Sequence, residues 1–147
     1  MNHKRVNILL VEDNPQDAEL ILRALQQQNL GDQVQVARNG AEALEILFAP
    51  GQEGSELLAN LKVIFLDLKL PKVSGLEVLK TIKADVRTQA IPVVVVTSSP
   101  QESDIDACYH LGANSYVVKP LEFDDFTKAI AQLGSYWVRL NQTIPQL

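Results

Sequence analysis

One cysteine, Cys108, leaves no partner for an internal disulfide, so no covalent staple holds this chain together. A lone thiol suits a reducing compartment, and the cytoplasm is the expected location. Basic charge is also scarce. Lys and Arg are scattered and the net charge is −5, so no cationic stripe is available to follow a phosphate backbone, and no nucleic-acid partner is expected. No apolar run approaches the roughly 20 residues that cross a bilayer, and neither end carries the apolar core of a signal peptide, so no membrane partner is expected either. His3 and His110 read as surface residues. Internal repeats, low-complexity tracts and linker-like stretches are lacking too. What remains is 147 residues, 46% of them hydrophobic, enough for one domain over 1–147 with a substantial core.

The most informative stretch is Val63-Ile64-Phe65-Leu66-Asp67-Leu68-Lys69-Leu70-Pro71. A continuous apolar run ended by a breaker reads as a strand buried on both faces. Pro71 removes a backbone donor and stops it, so Asp67 stands at the strand's carboxyl end. Ile8–Val11, Val93–Thr97 and Ser115–Lys119 read the same way, and Val34–Arg38 reads as a weaker edge strand. Between them lie helical patterns. Asn14-Pro15 opens the first, whose apolar face is Ala18, Ile21, Leu22 and Leu25. A second helix carries Ala43, Leu44, Leu47 and Phe48, and a third carries Leu76, Leu79 and Ile82. A fourth spans 100–111 with Ile105 and Cys108 inward and Gly112 as its cap. The fifth is lined by Phe123, Phe126, Ile130, Leu133 and Trp137, chiefly as core packing. Residues 50–55 read as loop, with at most a helical turn at Leu57 and Leu58. Five strands alternating with five helices predict an α/β fold with a doubly wound, five-stranded parallel sheet.

In such a sheet all carboxyl ends share one edge, where ligands bind. That edge collects Glu12, Asp13, Asp67, Thr97 and Lys119. Three converging carboxylates repel one another unless a hard cation neutralises them, and few oxygen ligands with room for water and phosphate suit Mg²⁺. A carboxylate can attack phosphorus to form an acyl phosphate while the metal and an ammonium absorb charge on the phosphoryl oxygens. Asp67 is thus the candidate phosphoacceptor, and a hydroxyl on the next strand could hold the bound group.

Several ordered segments then carry a resemblance. Ile8-Leu9-Leu10-Val11-Glu12-Asp13-Asn14, Asp67-Leu68-Lys69-Leu70-Pro71 with Gly75, Val96-Thr97-Ser98-Ser99, Gly112-Ala113 and Tyr116-Val117-Val118-Lys119-Pro120 make the chain similar to the receiver domain of two-component response regulators over nearly its full length. The resemblance implies a flavodoxin-like sheet in the order 2-1-3-4-5. It implies Mg²⁺ on Glu12, Asp13, Asp67 and the Lys69 backbone carbonyl, with Asp67 phosphorylated by a partner sensor histidine kinase. Lys119 would pair with Asp67 or its phosphoryl group, and Thr97 would turn toward that group. Tyr116 would then swing from an exposed to a buried rotamer. Lys69 and Ser99 would tune dephosphorylation, and the Lys119–Pro120 bond would be cis. No enzymatic activity is implied beyond phosphotransfer to itself and slow autodephosphorylation.

The connection before the Asp67 strand and the tail Tyr136-Trp137-Val138 to Ile144-Pro145 look similar to stand-alone regulators of cyanobacterial and bacterial phytochromes. That likeness implies a phytochrome-type kinase and a homodimer through the fourth helix, fifth strand and fifth helix. Tyr116, Phe126, Tyr136 and Trp137 would lie in the interface, with 134–147 as a C-terminal extension. Signalling would then run through protein–protein contacts. Three rivals stand beside this reading. A phosphorylation-independent pseudo-receiver adaptor would not need the acid pair, Asp67, Thr97 and Lys119. A flavodoxin-like nucleotide binder would want a Gly- or Ser/Thr-rich loop where Glu12-Asp13-Asn14 stands. An aspartyl phosphatase would want an acid two residues after Asp67, where this chain has Lys69.

Overall fold

In a computed structural model of the chain the described residues are 5–144. His3 and Pro145 lie outside them. The five expected strands are β1 Ile8–Val11, β2 Val34–Ala37, β3 Val63–Leu66, β4 Val93–Thr97 and β5 Ser115–Val118. They form one parallel sheet in the order β2-β1-β3-β4-β5. Side chains alternate across each strand, and here both faces are apolar. Ile8, Leu10, Val63, Phe65, Val94 and Val96 feed one core layer, and Leu9, Val11, Ile64, Leu66, Val93 and Val95 feed the other. Helices α1 (Pro15–Gln27) and α6 (Phe123–Ser135) cover the first layer; α2 (Gly40–Leu47), α4 (Gly75–Ala84) and α5 (Glu102–His110) cover the second. That is the doubly wound α/β arrangement, with β2 and β5 at the edges.

The loop expected at 50–55 is instead the first half of a sixth helix, α3 (Gly51–Asn60). Pro50 is extended at its N-cap, and Gly51 takes φ +73°, so the residues that look like breakers build the turn into the helix. Gly54 is buried, and a Cβ there would stand 1.8 Å from the Ala49 carbonyl oxygen. Glycine therefore lowers helix propensity and permits the close approach that docks the helix.

The closing helix also differs in part from expectation. Phe126, Ile130, Gly134 and Val138, each four residues apart, form its buried line, with Leu133 and Trp137 half-buried on the flank. Phe123, expected in the core, is 55% exposed because it opens the helix ahead of that line. Residues 134–140 are no free arm. After Ser135 the helix widens into a π turn over Tyr136–Leu140, closed by the Asn141 N–H donating to the Tyr136 carbonyl at 2.8 Å. Val138 is buried in it, and Arg139 donates to the Gln28 carbonyl at the end of α1. Among residues 134–144 only Tyr136, Leu140 and Ile144 turn large apolar surface outward.

Candidate functional site

Parallel register decides where the polar strand ends meet. Val11 is level with Ala37 and Leu66, Leu66 with Val95, and Thr97 with Val118. Glu12, Asp67, Thr97 and Lys119 therefore come out on one rim. The Glu12 N–H donates to the Ala37 carbonyl and the Asp67 N–H to the Val11 carbonyl, extending the ladder by one residue and holding both acids in place. At the far side, the Lys119 N–H donates to the Thr97 carbonyl at 2.7 Å.

The chain leaves Asp67 through a turn that only glycine closes. The Gly75 N–H donates to the Leu68 carbonyl at 2.9 Å, and a Cβ on Gly75 would lie 2.2 Å from the Asp67 carbonyl oxygen. Ser74 caps α4 by accepting the Glu77 N–H. Helix α4 thus starts pressed against the Asp67 segment. One carboxylate oxygen of Asp67, Oδ1, accepts the Leu68 N–H at 2.7 Å and the Lys69 N–H at 3.4 Å. Lys69 itself is exposed.

Lys119 gathers the acids. Its Nζ donates to Glu12 Oε1 at 2.7 Å, Asp17 Oδ2 at 2.8 Å and Asp67 Oδ2 at 3.0 Å. The lysine side chain is 9% exposed, so these are partly desolvated, charge-assisted bonds. Burial alone would depress its ammonium; the bonds to Asp17 and Glu12, with the charge of Asp67, outweigh that and hold it above its ordinary value. Glu12 is nearly inaccessible, and burial pushes its carboxyl up to about 7. The Lys119 hydrogen bond opposes that rise and the Asp67 charge adds to it. Three carboxylates share this ammonium, and exposed Asp13 adds a fourth beside Glu12 and Asp67. The rim keeps a net negative charge that no described side chain cancels.

Glu12, Asp13 and Asp67 each bring one carboxylate oxygen within 4.8 Å of the others. Three hard oxygen donors gathered on one rim, one of them reluctant to ionise alone, fit a divalent cation such as Mg²⁺. Thr97 is fully buried, and its hydroxyl is a buried polar atom without a partner. An unpaired buried hydroxyl is costly and calls for an acceptor that binds there.

Tyr116 stands differently from the exposed resting rotamer expected. Its ring is half-buried and its hydroxyl donates to the Ser99 carbonyl at 2.8 Å, which already ties it inward. The Ser99 hydroxyl donates to Asp104 at the start of α5. No cis peptide bond occurs among the described residues, so Lys119–Pro120 is trans, correcting the expectation. Trans is the intrinsically favoured isomer, and Lys119 reaches the acids through its own extended side chain. Phe126, expected at a dimer surface, is 5% exposed and packed in the α1–α6 layer, so it is core. Asp17 was not among the expected site residues. Its position in the first turn of α1, directly after the Glu12-Asp13 strand end, is the one sequence signal pointing to it.

Comparison with known proteins agrees with this geometry. Residues 8–131 match the model of the response regulator receiver domain. The chain is 40% identical over 136 residues to the probable methanogenesis regulatory protein FilR2 of Methanothrix harundinacea, covering 92% of this chain and 86% of that protein. It is 37% identical over 131 residues to the response regulator Rcp1 of Synechocystis sp., covering 89% and 88%. Among solved structures, the phosphorylated cyanobacterial phytochrome response regulator RcpA superposes with a TM-score of 0.85 at 34% identity, covering 95% of this chain and 98% of that one. The Mn²⁺-bound form of Rcp1 gives 0.84 at 33%, covering 95% and 99%. The bacteriophytochrome response regulator AtBRR gives 0.70 at 49%, covering 95% and 100%. With its parallel sheet, acidic rim and these matches, the chain belongs to the response regulator receiver domain family and is related to the phytochrome response regulators.

Proposed function

We propose that this chain accepts a phosphoryl group on Asp67 from a sensor histidine kinase of phytochrome type and passes the signal on through protein–protein contacts. The convergence of Glu12, Asp13 and Asp67 on one ammonium-bearing rim carries the reading. An Asp67 carboxylate oxygen attacks the phosphorus of a phosphohistidine; the P–O bond forms as the P–N bond breaks, and the imidazole leaves with the electron pair. Mg²⁺ held by Glu12, Asp13, Asp67 and the Lys69 carbonyl would neutralise charge on the phosphoryl oxygens. Lys119 donates to the same oxygens. The orphaned Thr97 hydroxyl gains its missing acceptor, and its shift is transmitted to Tyr116 and the Ser99 carbonyl. Such a local electrostatic event biasing a two-state element is the general form of these switches.

Relatives named for phytochromes support the choice of kinase. A homodimer through α5, β5 and α6 follows from the same likeness. Tyr136, Trp137 and the Tyr116 side of β5 would form it, without Phe126. The outward Val118 on edge strand β5 and outward Tyr136 are consistent with it. Light scattering after size exclusion tests this part: a chain that stays monomeric at high micromolar concentration, with and without phosphate, removes the dimer. Acetyl phosphate with Mg²⁺ tests the core of the proposal. The protein gains the mass of one phosphoryl group, and Asp67→Asn gains none. An equal gain in the variant would move the acceptor elsewhere. Substituting Lys69 or Ser99 is expected to change the acyl-phosphate lifetime more than its yield.

A further inference from the structure

Lys119 donates to three carboxylates, and the proposed reaction changes two of them. Phosphorylation turns the Asp67 carboxylate into an uncharged acyl group, which frees the N–H donated to it for a phosphoryl oxygen. Glu12 belongs to the acids that converge for a cation, so metal binding draws on its carboxylate as well. Asp17 is altered by neither event. It stands outside the converging set, and Lys119 is the only side-chain partner of its carboxylate among the described residues. A lysine ammonium rides on a flexible four-carbon stem, and holding it in one place costs entropy unless a partner fixes it. The Lys119 backbone is tied by its N–H to the Thr97 carbonyl, but only the acids hold the other end. Asp17 is well placed to do so. Pro15 opens α1, and Asn14 accepts the Gln16 and Asp17 N–H groups at 2.9 and 3.1 Å, so the backbone that carries the carboxylate is itself capped in position.

We infer that Asp17 is a positioning residue that anchors the Lys119 ammonium both before and after phosphorylation, so that the N–H released by Asp67 is already in place for the phosphoryl group. In the unphosphorylated protein it is one of three acceptors. In the phosphorylated, metal-loaded protein it is the carboxylate that keeps its bond to Lys119 unchanged. Asp17 acts through Lys119 rather than on phosphate directly. Its own negative charge, taken alone, would repel a phosphoryl group, so anchoring and simple charge predict opposite signs when Asp17 is removed. The inference rests on the proposal that Asp67 is the acceptor and Lys119 its partner.

The test is the affinity of the full chain for beryllofluoride, a phosphoryl mimic, at saturating Mg²⁺, measured by calorimetry. Asp17→Ala removes the anchor, and binding is expected to weaken about tenfold. Asp17→Asn keeps an acceptor oxygen without the charge, and a smaller loss of about threefold is expected. Glu19→Gln removes the same charge from an exposed pair with Arg23 on the same helix and should change nothing. A crystal structure of the wild-type complex with Mg²⁺ and beryllofluoride should show Lys119 Nζ bonded to both Asp17 and a fluorine. Unchanged or tighter binding by Asp17→Ala overturns the inference. So does a complex in which Lys119 has left Asp17, or an equal loss in Glu19→Gln, which would make charge on α1 the cause. A wild type that binds no beryllofluoride and gains no phosphoryl mass from acetyl phosphate overturns the parent proposal instead, so the two failures are distinguishable.

Discussion

The two rims of the sheet each hold a half-buried lysine, and their surroundings are opposite. At the amino rim Lys83 donates to the Gln89 carbonyl at 3.0 Å, the Ile91 carbonyl at 2.8 Å and Asn114 Oδ1 at 3.0 Å. All three acceptors are neutral, and burial pushes its ammonium below the ordinary value. At the carboxyl rim Lys119 donates to three carboxylates and is held above it. The buried threonines repeat the contrast. Thr88 donates to the Ile82 carbonyl at 2.7 Å, whereas the Thr97 hydroxyl has no partner. Asn7 completes the amino rim by donating to the Asn60 carbonyl, and Asn114 by accepting the Val93 N–H. One rim is finished by the chain itself. The other carries surplus negative charge and an unspent hydroxyl, so a cation and an anion together would complete it. Stability and function have been given to opposite ends of the same strands.

Substitutions can break this comparison. The largest effect is expected from Asp67→Asn, which should abolish phosphoryl gain from acetyl phosphate, while Lys83→Met at the other rim leaves that gain intact; intact mass spectrometry reads both. Lys83→Met should instead cost about 1–3 kcal/mol of stability by removing three hydrogen bonds and leaving the part-buried Ile91 carbonyl without its ammonium donor, read as a lowered midpoint in urea.

Glu12→Gln should act in the opposite direction. The carboxyl of Glu12 sits at about 7 against an ordinary 4.5. The native state therefore holds the extra proton between those values, and its stabilising contribution is complete below the lower value and lost as pH rises through the upper one. In metal-free protein the variant should be more stable than wild type by about 1–3 kcal/mol near pH 8, with the gap closing toward about pH 5. A gap that is constant with pH would mean that Glu12 is not held up by burial. The smallest effect makes the sharpest contrast. Thr88→Val should destabilise by about 1–2 kcal/mol, because it strands the Ile82 carbonyl, whereas Thr97→Val should be neutral or stabilising by up to about 1 kcal/mol, because it removes an unsatisfied hydroxyl. The same change at two rims is expected to have opposite signs in thermal melts.

Much of this was legible from residue order. Val63–Leu66 and Val93–Val96 are continuous apolar runs that suit only a sheet covered on both faces, and the residues ending them name the rim: Asp67 and Thr97. Asn14-Pro15 marked the start of α1 correctly because caps act within three or four residues. Errors arose where a residue's meaning depends on a distant neighbour. Gly51 and Gly54 looked like a loop until the Ala49 backbone showed why a helix there needs small residues. Phe123 and Phe126 have equal hydrophobicity, and only the packing of α6 on the sheet separates the exposed ring from the core one.

Local sequence thus determined the strands, most of the helices and the identity of the acids and the lysine on the carboxyl rim, because periodicity and capping are short-range effects. Tertiary structure alone decided that Asp17, 102 residues from Lys119 in sequence, shares its ammonium. It also decided that burial lifts Glu12, and that Thr97 keeps a hydroxyl unspent. Charge interaction and desolvation depend on distance in space and on access to water, and neither is written along the chain until the sheet closes over it.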